Sequence, residues 1–147
     1  IANAKVNLPF KTALARGVLC NSMVCLAVWL CFSGRSVADK IVSIVFPIAG
    51  FVASGFEHCV ANMYFIPMGI FLKGNLEVLA AAEKMAGKTV NLSQLTWKGF
   101  VINNQIPVIL GNVVGGVILV GIMFWLIYLR PKLNISFSIK EDFPQDK

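Results

Sequence analysis

The chain is 147 residues long, 57% hydrophobic and only 14% charged, with a net charge of +6 and a mean hydropathy of +0.76. A soluble domain carries about 25% charged residues, so the composition excludes one and indicates a single integral membrane domain. The basic residues are scattered over ends and loops without an aromatic-interleaved stripe, which excludes a nucleic-acid footprint and suits lipid headgroups and water.

The sequence begins at Ile1 with no signal-peptide pattern and reads as the second part of a longer chain. Ile1 to Lys11 is a short polar lead carrying Lys5. Between Arg16 and Arg35 the chain is uncharged, which predicts a spanning helix over about 12–34 with Asn21 inside it. Ser33-Gly34-Arg35-Ser36 reads as a turn closed by Asp39-Lys40. From Ile41 to Leu72 only Glu57 and His58 can carry charge. A straight helix of that length would run about 48 Å, against a bilayer core of about 30 Å. The run is therefore predicted as a broken span over 40–72, interrupted near 53–57, with kinks at Pro47 and Pro67.

Lys73 to Gln105 is the most polar internal stretch. Leu76 to Ala86 predicts a short alanine-rich helix stopped by Gly87. Asn91 or Ser93 would cap a second, amphipathic helix through Asn103, with Trp97 and Phe100 at the membrane interface. The last span is expected over 106–129, where Gly111, Gly115 and Gly116 form a small-residue face for another helix. Trp125 and Tyr128 suit the interface, Arg130-Pro131 ends the helix, and 130–147 is a tail. The fold class is thus an all-α membrane protein of three transmembrane helices, the middle one broken. Irregular backbone at membrane depth survives where it is buried in protein or lines a cavity. Broken spans around a mid-membrane polar site are a mark of transporters. Three spans make a poor pore alone, so a partner repeat or further subunits are expected. The basic residues divide almost evenly between the two sides, so charge alone assigns no orientation.

Cys20, Cys25, Cys31 and Cys59 lie in apolar segments without a CxxC pattern and read as small buried hydrophobes. With a single histidine, no structural zinc site is expected, and no cofactor is implied. His58 is the candidate for chemistry. It could pass a proton to an anion or attract one as a cation. The plain alternative is a packing histidine bonded between helices. Glu57 would point about 100° away in a helix. Accepting backbone N–H groups freed by the break is one role for it, substrate contact the other. Asn62 lies four residues after His58, on the same face, where it could orient the imidazole or line the cavity. Asn21 could meet this site or make an interhelical hydrogen bond. Phe51 and Phe56 flank Ala53-Ser54-Gly55, where Phe51 could narrow a passage or simply pack. Lys5 could gather anions or be a solvated charge.

Two stretches carry a family resemblance. Arg16-Gly17-Val18-Leu19-Cys20-Asn21-Ser22-Met23-Val24-Cys25-Leu26-Ala27-Val28-Trp29 resembles one signature of the formate/nitrite transporter family, and Gly55-Phe56-Glu57-His58-Cys59-Val60-Ala61-Asn62-Met63-Tyr64 resembles the other. Pro107 to Gly116 is similar to the start of the family's last span. The resemblance implies the second half of a six-helix, inverted-repeat channel, its N-terminal repeat missing here. It further implies a homopentamer with a pore in each protomer, in the inner (plasma) membrane, with Arg35 to Lys40 and a cytoplasmic tail at 130–147 inside. By the same resemblance His58 is the central pore histidine, Lys5 the vestibule lysine and Phe51 a constriction residue. Asn21, Glu57 and Asn62 match polar lining and support. Cys59 stands where many members carry serine.

The function expected is movement of a small monovalent anion of a weak acid, formate first, with nitrite and hydrosulfide as alternatives. Lys5 would gather anions by its field, apolar rings near Phe51 would strip water, and His58 would supply a proton or a temporary positive charge. Two rivals belong to other classes. A membrane-embedded redox subunit would use His58 as a haem ligand, but no second histidine is available as the other axial ligand. A structural anchor would use the glycine face for assembly and leave Glu57-His58 unexplained.

Overall fold

Among the described residues, single side chains cap the starts of several helices. The computed structural model describes residues 1–87 and 89–129, which form helices and turns; the helix stop at Arg130-Pro131 and the tail at 130–147 lie outside them. Helix α1 (Ala2–Val6) is followed by α2 (Phe10–Cys31), which starts directly after Pro9. Ser36 opens α3 (Val37–Ala53) with a reciprocal cap. Its Oγ accepts from the Asp39 N–H at 3.1 Å, and Asp39 Oδ2 accepts from the Ser36 N–H at 2.9 Å and the Arg35 N–H at 3.1 Å. The Ser36 bonds, the backbone one foremost, hold the exposed Asp39 carboxyl below the usual carboxylate range.

Helix α4 (Cys59–Leu72) contains Pro67 and α3 contains Pro47. Helix α5 (Leu76–Ala86) is capped by Asn75, whose Oδ1 accepts from the N–H groups of Glu77 and Val78. It stops at Gly87, whose φ of 65° is the left-handed conformation glycine adopts without steric cost. The expected alanine-rich helix is therefore present. Helices α4 and α5 bend by 117° at their join, so α5 does not prolong α4.

The final helix differs from expectation. No separate helix runs from Asn91 or Ser93 through Asn103. One continuous helix, α6 (Gly99–Leu129), begins seven residues before 106, with Thr96 Oγ1 accepting from the Gly99 N–H at 3.0 Å. Asn104 and Gln105 look like loop residues in sequence, yet they are buried inside this helix with protein partners for their amides. Helices α2 and α6 are each long and apolar enough to cross a membrane.

Helix α2 lies between α3 and α6 and packs on both. Its seam with α6 is made by glycine. A methyl on Gly111 would land on the Leu14 carbonyl oxygen, and one on Gly115 on that of Val18. Gly17 faces them, with Val108 O only 2.9 Å from where its Cβ would stand. The small-residue face thus serves the chain's own α2. A second core joins α1, α4 and the turn before α6 through Val6, Ile66, Ile70 and Leu95. Helix α3 buries no residue.

Candidate functional site

The break between α3 and α4 is a defined piece of geometry. Helix α3 ends with Gly55 at φ 65°, the Gly55 N–H bonding to Val52 O and the Phe56 N–H to Phe51 O. Those two bonds form a Schellman motif, which needs glycine at the left-handed position. Helix α4 then starts from His58, whose backbone is extended and whose Nδ1 accepts from the Ala61 N–H at 3.4 Å. Histidine acts here as a helix cap. With Nδ1 accepting, the neutral ring carries its proton on Nε2. The Phe51 and His58 rings stack at a centroid distance of 5.9 Å and 26° between planes.

Behind the break, Glu57 is 2% exposed. Its Oε1 accepts from Lys5 Nζ at 2.8 Å. Its Oε2 accepts from Asn62 Nδ2 at 2.6 Å and Asn104 Nδ2 at 3.2 Å. Asn62 Nδ2 also donates to Asn104 Oδ1 at 2.8 Å, and Asn104 Nδ2 to the Lys5 carbonyl at 3.1 Å. A buried carboxylate is tolerable only when paired and hydrogen-bonded, and this one has both. The network fixes the Asn62 amide, because turning it over would aim its oxygen at the carboxylate.

The backbone around His58 is held by one buried side chain, Asn112 on α6. Its Nδ2 donates to Glu57 O at 3.0 Å and Gly17 O at 2.9 Å, and its Oδ1 accepts from the Cys59 N–H at 3.0 Å. The residues on both sides of His58 are thereby fastened to α6. Gln105 Nε2 adds a bond to Cys59 O at 3.1 Å. Arg16 on α2 closes the far side, donating from Nη1 to Gly55 O at 3.4 Å, while its carbonyl accepts from the Glu57 N–H at 3.4 Å.

Five of the six sequence candidates fall into two groups. Phe51 and His58 meet at the half-exposed front of the break. Lys5, Glu57 and Asn62 meet behind it. Lys5 touches Glu57 directly, and the carboxylate takes side-chain donors where backbone N–H groups were one expectation. Asn62 turns to Glu57 and Asn104. Asn21 makes an interhelical bond, donating to Asn112 O at 2.6 Å. Three site residues had no place in the sequence reading: Asn104, Gln105 and Asn112. Asn112 had a signal, since positions 108, 111, 112 and 115 fall on one stripe of a helix. Among the described residues no group of three His, Cys, Asp or Glu side chains converges as a metal site would require.

Residues 1–126 match the family model described as formate/nitrite transporter. The chain is 48% identical over 132 residues to the formate channel FocA of Escherichia coli K12, covering 88% of this chain and 45% of that protein. It is 46% identical to a probable formate transporter of Methanothermobacter thermautotrophicus, covering 88% and 41%. A solved structure of a pentameric formate channel with formate bound superposes with a TM-score of 0.72 at 45% identity, covering 88% of this chain and 50% of that one. The chain thus spans less than half the length of these curated relatives.

Proposed function

Because the chain belongs to the formate/nitrite transporter family, we propose that it forms the second half of a six-helix channel for small monovalent anions of weak acids, formate foremost. The complete protein would be a homopentamer of the inner (plasma) membrane, each protomer carrying its own pore, and would act as a channel rather than an enzyme. The names of the similar proteins support formate, and the pentameric neighbour supports the assembly.

One observation carries the reading at the site. The Phe51–His58 ring pair lies at the open side of a break whose other side is filled by a fully bonded acid. A bare anion in the bilayer core faces a large desolvation cost. Phe51 would help strip water, while the positive dipole end at the start of α4 would attract the anion. His58 would take up a proton from the aqueous side to become the imidazolium and pass one to the anion from Nε2, returning to the neutral ring while the anion crosses as the neutral acid. Lys5 would add its field from the Glu57 pair rather than from open water.

Uptake of formate, nitrite and hydrosulfide into vesicles holding the full-length protein tests the substrate. The His58→Phe protein is expected to lose the pH dependence of flux and not merely its size. Identical pH profiles for His58→Phe and wild type would remove the proton step.

A further inference from the structure

Two half-helices meet at residues 54–58 and present opposite dipole ends to the same space. Helix α4 has its positive dipole end at His58, whose Nδ1 already accepts the Ala61 N–H. Helix α3 offers its C-terminus, where unsatisfied carbonyls carry partial negative charge. The end-of-helix bonds occupy Gly50 O, Phe51 O and Val52 O, and beyond them the chain points Gly55 O at α2. An anion at the break is attracted by one end and repelled by the other.

Arg16 stands at the repelling end. It is tied to the break twice, through Nη1 to Gly55 O and through its own carbonyl to the Glu57 N–H. The neighbouring Gly17 lies against Val108 and Gly111, well inside the length of α6, so Arg16 is at the depth of the α2–α6 seam. An arginine within a spanning segment is costly and marks either a partner or a function. Among the described residues no carboxylate lies within ion-pair distance of Arg16, and Glu57 is occupied by Lys5. Of the five N–H donors a guanidinium offers, one is engaged among the described residues.

We propose that Arg16 is a selectivity residue acting by fixed charge. It neutralises the negative end of α3, so that the break as a whole favours small monovalent anions over cations. This inference rests on the channel reading, and its test separates the two. Full-length wild type, Arg16→Gln and Arg16→Lys proteins are reconstituted in vesicles. Formate flux and the formate-over-sodium permeability ratio are measured under a sodium formate gradient. A wild type that passes no formate would defeat the channel reading itself. With wild-type flux present, Arg16→Gln should lower the ratio roughly fivefold to thirtyfold, the range for a cation at a partly buried helix C-terminus. Arg16→Lys should keep the ratio near wild type. A wild-type ratio in Arg16→Gln overturns the proposal. So does an equal loss in both variants, since that assigns the role to guanidinium shape. Should Arg16→Gln fail to assemble, Arg16→Lys decides alone: a ratio kept supports the charge and a ratio lost refutes it.

Discussion

The two sides of the break are built in opposite ways. Behind it, Glu57, Asn62, Asn104 and Asn112 are each no more than 4% exposed, and every one bonds to a different helix or to the break itself. In front, Phe51 and His58 remain half-exposed, and α3, which carries Phe51, buries nothing. By the channel proposal the rear would serve as scaffold and the front as working surface. A buried polar network specifies one backbone path because each broken bond there leaves an unsatisfied group. The front can then hold two rings at a fixed separation without packing them into a core.

Substitutions at the rear should therefore cost stability, and those in front should change transport while sparing the fold. The largest loss is expected for Glu57→Ala, which leaves the Lys5 ammonium without its partner, at about 3–5 kcal/mol. Thermal unfolding of the purified protein in detergent measures it, and an unchanged midpoint would erase the contrast between the two sides. Asn112→Leu should follow at about 3 kcal/mol, since Glu57 O, Gly17 O and the Cys59 N–H all lose a partner. Its flux should fall as well, because His58 is no longer held from both sides. Gly115→Ala drives a methyl into the Val18 carbonyl, and is expected to cost roughly 1–3 kcal/mol.

The smallest effect belongs to the exposed cap of α3. The Asp39 carboxyl is held below its ordinary value by Ser36 and Arg35, so its contribution is complete above the unfolded value of about 3.9. That contribution is lost as pH falls through the lower folded value. Asp39→Asn should flatten the acid limb of the unfolding midpoint and leave the neutral region almost unmoved. A steep acid limb retained in the variant would assign it to another carboxylate.

Much of the architecture could be read from residue order. Gly55 and Gly87 both stop helices as glycines at φ 65°, and the isolated Glu57-His58 pair marked the break between α3 and α4. The last helix was harder. Asn104 and Gln105 fall between the helix expected to end at Asn103 and the span expected from 106, which in one dimension looks like a connection. Only the folded chain brings Lys5, Glu57 and Cys59 against them and makes burial of the amides possible. The role of Glu57 was obscured for the same reason. Its donors come from Lys5 and Asn104, 52 and 47 residues away in the chain, and no local pattern encodes such distances.

The glycine seam has a mechanical consequence. Where α2 and α6 meet backbone to backbone at Gly17, Gly111 and Gly115, no side chain is present to change rotamer and absorb sliding. The pair is a rigid body, and Asn112 rivets residues 57 and 59 to it. Phe51, on the helix that buries no residue, is the part of the break that this fastening does not reach.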